Sequence, residues 1–265
     1  MQEPDAGAVL ALLEDTVSEA GEIALRSFQA NPKTWDKGGG AGPVTEADLA
    51  VNAHLRDVLM GSYSDFGWLS EENEDSAERR DARHLFIVDP IDGTRSFIEG
   101  SRTWAISVGY AIDGQMAAGI VHLPARALTY KALRGKGATK NGAPIQARTT
   151  TAPDGASVLS AKVNFRDAAW DRVPPKPEIS FRSSLAYRLA LIAEGRFDAM
   201  LTLRNTWEWD VAAGSLLVTE AGGAVASLDG PDPRFNTERA ALPGLMAGAP
   251  GLISNYLAHG PRLAG

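Results

Sequence analysis

The chain has 265 residues, of which 44% are hydrophobic, and this is enough to bury a large core. Its formal net charge of -7 is spread along the chain without a basic tract, which argues against a nucleic-acid polymer as a partner. There is no cysteine, the first residues lack the order of a signal peptide, and no apolar stretch approaches the roughly 20 residues of a membrane span. We therefore expect no contact with a membrane and a cytoplasmic location.

The first part of the chain predicts two helices and a buried strand. Apolar residues recur at steps of three and four over residues 10–28, the period of an amphipathic helix, and the Asn-Pro pair at 31–32 would end it. Residues 45–48 (TEAD) have the spacing of a capping box and predict the start of a second helix. Residues 84–88 (HLFIV) predict a short buried strand that delivers Asp89 at its C-terminal end.

A strand meander and a second half follow. Asp-Gly at 113–114 separates two apolar segments and predicts a β-hairpin. The predicted strands here are 104–112, 115–123, 127–133, 158–163 and 197–203, and the predicted helices are 183–193 and 210–221. Residues 141–155 are turn-rich, so we place a boundary there: residues 1–150 as an N-terminal α+β half and residues 151–265 as a C-terminal α/β half of one compact unit.

Acidic residues near the predicted strand and helix ends indicate a metal site. Hard cations such as Mg²⁺ take oxygen ligands, usually a few carboxylates together with substrate phosphate and water. Asp89 and Asp92 lie on what we expect to be one tight turn, in which the Ile91 carbonyl is free to be a further ligand. The predicted metal ligands are Glu71, Asp89, Ile91 through its carbonyl, Asp92 and Asp210.

This set of ligands suits phosphoryl transfer. Two metal ions about 3.5–4 Å apart would hold the attacking and the leaving oxygens of an in-line displacement at phosphorus, and Asp92 is the natural bridging ligand. Gly93 lets the backbone approach an anion closely, and the amides of Gly93 and Thr94 can receive phosphate oxygens. The Thr94 hydroxyl is left to orient water.

Three motifs in order carry a family resemblance. Residues 70–72 (SEE), 89–94 (DPIDGT) and 209–214 (WDVAAG) resemble the pattern of the inositol monophosphatase superfamily of Mg²⁺-dependent, lithium-sensitive phosphomonoesterases. The resemblance spans roughly residues 5–255. It implies an α+β fold with layers in the order α/β/α/β/α, two metal ions, and activation of water by Thr94 with Asp48. The predicted catalytic residues are Glu71, Thr94 and Asp48.

Several of these residues have simpler interpretations. Asp48 has the position of a capping-box acid, and both roles can coexist. Asp210 could merely cap its helix, and Trp207 could be an ordinary core aromatic residue. The glycine-rich residues 37–43 do not match a phosphate-binding loop, because no strand precedes them; we expect a mobile flap over the site, with a weaker third Mg²⁺ as an option.

The substrate is less well defined by sequence. Inositol-specific relatives carry a glutamate seven residues before the aspartate of the W-D motif, and Leu203 stands there. Residues 183–185 (SSL) and 208–210 (EWD) resemble instead the 3'(2'),5'-bisphosphate nucleotidase branch, which acts on adenosine 3',5'-bisphosphate. That branch continues with a lysine where this chain has Ala186. Arginines that could replace the missing cation are Arg182, Arg188 and Arg204.

Three functions are compatible with these residues. The favoured one is hydrolysis of adenosine 3',5'-bisphosphate by metal-activated water, without a covalent phosphoenzyme. The alternative is an inositol monophosphatase or a broad sugar phosphate phosphatase, and the third is a non-catalytic regulatory binding protein of the same fold. The predicted substrate-binding residues are Asp92, Gly93, Thr94, Ser184 and Asp210. The expected partner is a small-molecule phosphate ester; family members often form dimers, so a homodimer is a further expectation.

Overall fold

The computed structural model describes residues 4–39 and 42–263, and these residues form six α-helices and three sheets. The helices are α1 (Ala6–Ser27), α2 (Glu46–Ser62), α3 (Thr94–Ile98), α4 (Leu185–Ala193), α5 (Glu208–Glu220) and α6 (Pro250–Ala258). The strands are β1 (Thr34–Asp36), β2 (Pro43–Thr45), β3 (Gly67–Ser70), β4 (His84–Asp92), β5 (Ala105–Ile112), β6 (Gln115–Leu123), β7 (Leu128–Leu133), β8 (Ala138–Lys140), β9 (Ala143–Pro144), β10 (Ser157–Leu159), β11 (Glu178–Ser180), β12 (Ala199–Trp207), β13 (Ala224–Ser227), β14 (Gly230–Pro231) and β15 (Ala241–Gly248). None of the described helices combines the length and the apolar character that crossing a membrane requires.

Helices and sheets alternate in five layers. The larger sheet has seven strands in the order β3-β4-β5-β6-β7-β8-β9, and the second has six in the order β11-β10-β12-β15-β13-β14. Helices α1 and α2 pack on the outer face of the larger sheet, α4 and α5 lie between the two sheets, and α6 covers the second sheet. The predicted α+β class and the α/β/α/β/α order of layers are confirmed.

The predicted meander forms the middle of the larger sheet. Strands β5 and β6 pair antiparallel, with Ile112 opposite Gln115 across a two-residue loop. Both loop residues have positive φ, 50° at Asp113 and 73° at Gly114, as the tightest class of hairpin turn requires. Strand β7 then pairs antiparallel with β6, which completes the predicted order.

Several predicted boundaries in the second half are wrong, three of them next to the site or the second sheet. The predicted strand 158–163 ends at Leu159, because the Ser160 hydroxyl donates to the Leu201 carbonyl and the chain turns into a short 3₁₀ helix at Lys162–Phe165. Strand β12 continues beyond the predicted residue 203 to Trp207, and α5 begins at Glu208 rather than at residue 210.

The two large sheets meet through a shared apolar layer. Residues 145–156 carry no helix or strand and join the end of β9 to the start of β10. The core between the sheets combines side chains from both sides of this segment, for example Leu69 and Tyr130 with Leu189 and Leu217. The division into halves at residue 150 stays a prediction.

Candidate active site

A β-bulge in β4 positions two of the predicted ligands. Asp89 pairs with Ser107 of β5, but Asp92 pairs with Ala105, so three steps on β4 oppose two on its neighbour. Side chains three residues apart on a regular strand point to opposite faces, and one extra residue restores both to the same face. The tight turn that we predicted between Asp89 and Asp92 is therefore corrected to a bulge within a strand, where Pro90 costs no ladder hydrogen bond.

Helix α5 brings the third carboxylate to this bulge. Asp210 is the third residue of α5, which begins directly after β12. Oxygen atoms of Asp89, Asp92 and Asp210 all lie within 4.8 Å of one another. The sequence positions of these residues are up to 121 apart, and the fold brings them to one point.

These three carboxylates suit a divalent cation. Burial and mutual repulsion raise the pKa of Asp89 and of Asp210 well above the usual range, and burial raises the pKa of Asp92 to about 6. Asp89 Oδ1 is buried and has no hydrogen-bond partner among the described residues. A cation such as Mg²⁺ would satisfy this oxygen and remove the repulsion, so the donor set fits the predicted metal.

The start of α4 holds Asp92 in place. Ser184 Oγ donates to Asp92 Oδ2 at 2.7 Å, and the Ala186 backbone N–H donates to the same oxygen at 2.6 Å. Ser184 is fully buried and caps α4 by accepting from the Tyr187 N–H. Both donors act on one oxygen, so they orient the carboxylate without occupying Oδ1. A direct contact between Ser184 and substrate stays a prediction.

Gly93 makes the turn from β4 into α3. Its backbone is left-handed, with φ 98° and ψ 39°, which a residue with a side chain rarely adopts. A Cβ atom there would also lie 3.3 Å from the Thr103 carbonyl oxygen and 3.4 Å from Ser184 Cβ. Glycine is therefore required at this position by the backbone and by the packing. The roles of the Gly93 and Thr94 amides in holding phosphate stay predictions.

Asp48 and Thr94 meet beside the bulge. Asp48 is fully buried and accepts from the Thr45 backbone N–H at 2.9 Å and from the Thr45 hydroxyl at 2.6 Å, as a capping box requires. Thr94 Oγ1 lies 3.3 Å from Asp48 Oδ1 and 3.1 Å from the Ile91 carbonyl oxygen. Burial raises the pKa of Asp48. The Thr94 hydroxyl therefore contacts both Asp48, its predicted partner in activating water, and the Ile91 carbonyl.

The predicted flap closes onto Glu71 and Glu72 through a residue that our sequence analysis did not assign. Strands β1 and β2 pair antiparallel, and Lys37 Nζ lies 2.9 Å from Glu71 Oε1 and 2.7 Å from Glu72 Oε1. The Glu72 carboxylate is therefore paired and largely buried, and burial raises its pKa to about 7. Gly40 lies outside the described residues, and a third metal at this loop stays a prediction.

Glu71 sits at the edge of the aspartate cluster. Its backbone N–H donates to the Val88 carbonyl at 3.3 Å, next to Asp89. Its negative charge helps to raise the pKa of Asp89, after the effect of burial. Glu71 thus lies close enough to act on the cluster while its side chain is paired with Lys37. Its role as a metal ligand stays a prediction.

Two of the three arginines named from the sequence act on the cluster electrostatically. Arg188 is 6% exposed, its charge acts on Asp92 and Asp210, and its guanidinium carbon lies 4.4 Å from the centroid of the Phe181 ring. Burial lowers the pKa of Arg188 to about 10. Arg204 is exposed, and its charge acts on Asp210 and Arg188. Arg182 is half-buried and donates to the Phe181 carbonyl.

Leu203 and Glu208, on which the choice between inositol and nucleotide substrates partly depended, both have structural roles. Leu203 is fully buried and belongs to the core between the second sheet and α6. Glu208 is fully buried, and its carboxylate accepts from the Asn236 N–H, the Thr237 N–H and the Thr237 hydroxyl, each within 2.7 Å. Residues two apart on a helix point to nearly opposite sides, so Glu208 turns away from Asp210. The inference that Glu208 marks a nucleotide substrate is therefore withdrawn.

Comparison with known proteins agrees with this geometry. The sequence profile of the inositol monophosphatase family matches residues 5–258. A histidinol-phosphatase of Chlorobaculum parvum is 32% identical over 83% of this chain and 84% of its own length. The 3'(2'),5'-bisphosphate nucleotidase CysQ of Aggregatibacter actinomycetemcomitans is 30% identical over 82% of this chain and 85% of its own length.

The fold is shared with solved structures. An IMPase from Thermotoga maritima superposes with a TM-score of 0.76 at 27% identity, covering 91% of each chain. The family profile extends over all three motifs and both sheets. The relatives named above are phosphatases, and metal dependence is general in the family. The chain therefore belongs to the inositol monophosphatase family and is a phosphoric monoester hydrolase.

Proposed function

We propose that this phosphatase uses Mg²⁺ and removes a phosphate from a small metabolite that carries two phosphates, with adenosine 3',5'-bisphosphate as the favoured substrate. The observation that carries this proposal is the pair of arginines whose charges act on the aspartate cluster. Arg188 and Arg204 both act electrostatically on Asp210. A second phosphate on the substrate would give these cations a partner.

The aspartate cluster is the proposed metal centre. Asp89, Asp92 and Asp210 would hold Mg²⁺, with Glu71 and the Ile91 carbonyl as the further ligands. When bound, Mg²⁺ would neutralise charge on the phosphoryl oxygens and acidify a water molecule.

The residues around the cluster have separable tasks. The Thr94 hydroxyl, held between Asp48 Oδ1 and the Ile91 carbonyl, orients the attacking water. Asp48 is the final acceptor for the proton of the attacking water, which reaches it through the Thr94 hydroxyl. Ser184 and the Ala186 N–H fix the carboxylate of Asp92, so that only its second oxygen is left for the cluster.

The position of the arginines favours a bisphosphate over a monophosphate. Bound Mg²⁺ would compensate much of the charge of the cleaved phosphate, which leaves these two cations available for a second anionic group. Arg188 is fixed by its contact with Phe181 and by donating to the Arg182 carbonyl, whereas Arg204 is exposed and free to approach a ligand at the surface. These two arginines would supply the positive charge that the nucleotidase pattern places in a lysine at position 186, where this chain has alanine.

Inositol and sugar monophosphates are the second candidate. This candidate is favoured by Ala186 and by the withdrawal of Glu208 as a nucleotide marker, which leaves fewer residues tied to a bisphosphate. The family itself and a relative named as a histidinol-phosphatase show that small monophosphates are used by similar proteins. Leu203 offers no acceptor for inositol hydroxyls, so this candidate predicts a broad preference.

Phosphate release distinguishes the two candidates. The purified protein is assayed with Mg²⁺, with and without lithium, on adenosine 3',5'-bisphosphate, adenosine 3'-monophosphate and inositol 1-phosphate at equal concentrations. We expect a clear preference for the bisphosphate in kcat/KM. Equal or faster turnover of inositol 1-phosphate would overturn the nucleotide proposal and support a broad phosphatase. Addition of EDTA should abolish turnover of every substrate.

A further inference from the structure

Trp207 is a large apolar side chain that the fold leaves half exposed at the start of α5, the helix that carries Asp210. It is 51% exposed, although a place in the core was an equally good prediction from the sequence. It is the N-cap residue of α5, and Asp210 is the third residue of that helix. The indole therefore stands three residues before the Asp210 carboxylate, at the same end of α5.

A second tryptophan holds Trp207 in place. The rings of Trp207 and Trp209 are nearly parallel, with an interplanar angle of 12° and centroids 4.9 Å apart. Trp209 is partly buried and packs against the core between the two sheets. Its backbone carbonyl accepts from the Ser107 hydroxyl of β5 at 3.2 Å. One face of the Trp207 ring is thus fixed on a rigid support, and the ring needs little further ordering to receive a ligand.

Charge next to this ring indicates the kind of ligand. Arg204 lies three residues before Trp207 on the same strand, and its charge acts on Asp210. An indole face, a guanidinium and the carboxylate of a proposed metal ligand, Asp210, therefore all lie where β12 ends and α5 begins. Stacking of a planar base on an aromatic ring, with a cation near its phosphate, is a recurring way to bind nucleotides.

We infer that Trp207 is a specificity-determining residue, whose exposed indole receives the planar base of a nucleotide substrate while the phosphate to be cleaved lies at the cluster of Asp89, Asp92 and Asp210. This inference rests on the proposed function, because it supplies the binding site for the base of the same substrate. It predicts that the enzyme discriminates between phosphate esters that carry a planar base and phosphate esters that do not, whatever the number of phosphates.

The test compares W207A and W207F with the wild type, and L25A serves as a matched loss of an exposed apolar side chain on α1, where Leu25 is 41% exposed. We expect W207A to raise the KM for adenosine 3',5'-bisphosphate and for adenosine 3'-monophosphate by about 10-fold, the loss of one base stack. Its kcat should stay within about 2-fold, and its KM for inositol 1-phosphate should not change. W207F should retain most of the affinity.

A binding experiment gives a second readout. Adenosine 5'-monophosphate, the product of the proposed reaction, is titrated with Mg²⁺ present while tryptophan fluorescence is recorded. Stacking should quench the tryptophan fluorescence of the wild type and of L25A. In W207A, this quenching should be absent. The oligomeric mass of each variant is measured by light scattering.

The outcomes separate the two proposals. A wild type that hydrolyses no adenosine phosphate overturns the proposed function, and the Trp207 inference then depends on quenching by adenosine 5'-monophosphate. Hydrolysis of adenosine phosphates with an unchanged KM in W207A overturns the inference alone. An equal rise in KM for all substrates, or a change of oligomeric mass in W207A, also overturns it, because Trp207 would then shape the site entrance or contact another subunit.

Discussion

Thr94 Oγ1 lies 3.3 Å from Asp48 Oδ1, and this contact joins the first turn of α2 to the start of α3. The other oxygen of Asp48 accepts from the Thr45 backbone N–H and hydroxyl. One carboxylate therefore caps a helix with Oδ2 and reaches the site with Oδ1. The two interpretations of Asp48, helix cap and water activation, are compatible because they use different atoms.

The variant D48N separates these roles. An asparagine carbonyl can still accept from Thr45 and cap α2, but the amide removes the negative charge that Thr94 faces. We expect kcat to fall by about 10²-fold, the usual contribution of a general base, while Mg²⁺ binding measured by calorimetry is unchanged. A variant with a lower melting temperature and normal kcat would show that Asp48 only caps the helix.

The variant D92N tests the metal centre. The carboxamide oxygen can keep both donors from α4, the Ser184 hydroxyl and the Ala186 N–H, so the fold should be retained. The variant loses one charged ligand, and we therefore expect kcat to fall by at least about 10³-fold. The Mg²⁺ concentration needed for half-maximal activity should rise. E74Q, a change to an exposed acid near Glu71, is the matched control. Near-normal activity of D92N would refute the assignment of Asp92 to the metal.

Metal removal should make stability depend on pH. Burial raises the folded-state pKa of Asp92 to about 6 and of Glu72 to about 7, above the values of unfolded chains. The folded state then binds these protons more tightly, so stability is greatest below the unfolded pKa and is lost as pH rises through the folded pKa. We expect the melting temperature in EDTA to fall between about pH 5 and pH 8.

Mg²⁺ should reverse most of this fall, because it replaces the lost protons as the compensating positive charge. Scanning calorimetry at several pH values, with Mg²⁺ or with NaCl at matched ionic strength, measures the effect. A melting temperature in EDTA that stays level over this range would contradict the expectation, and so would an equal recovery in NaCl.

The sequence located the acidic motifs but not the geometry that joins them. Residues 89–94 were recognised by spacing, yet their backbone was expected to be a turn. The bulge depends on the register between β4 and β5, which is set by Ser107 and Ala105 and is not visible in the motif. The pairing of Lys37 with Glu71 and Glu72 was missed for a similar reason, because it exists only once the flap closes over distant residues.

Helical periodicity could have corrected one further inference. Glu208 and Asp210 were treated as neighbours in one motif, but two residues on a helix differ by about 200° in direction. Asp210 faces the bulge, and Glu208 faces the loop at 236–237. The predicted end of β12 and the predicted start of α5 were wrong by a few residues. With α5 starting at Glu208, Glu208 and Asp210 would both have been placed on the helix, and their opposite directions would have been evident.

Glu208 should therefore affect stability and not substrate preference. In E208Q one amide nitrogen must face a backbone N–H of Asn236 or Thr237, whichever way the side chain is turned. We expect a loss of about 2 kcal/mol in the free energy of unfolding, measured with urea, and an unchanged ratio of kcat/KM between adenosine 3',5'-bisphosphate and inositol 1-phosphate. E238Q, a change to an exposed acid, is the control. A change in that ratio would restore Glu208 as a substrate residue.

Arg204 should affect only substrates with a second phosphate. It is exposed, so R204Q should fold normally, and its charge acts on Asp210 and Arg188 at the proposed position of that phosphate. We expect the KM for adenosine 3',5'-bisphosphate to rise by about 10-fold, the loss of one charge-assisted hydrogen bond, with little change for adenosine 3'-monophosphate. R56Q on α2 is the matched control. Because the two substrates differ only in the 5'-phosphate, an equal effect on both would mean that Arg204 acts on the metal centre or on the cleaved phosphate, and the second phosphate would then have no assigned cation except Arg188.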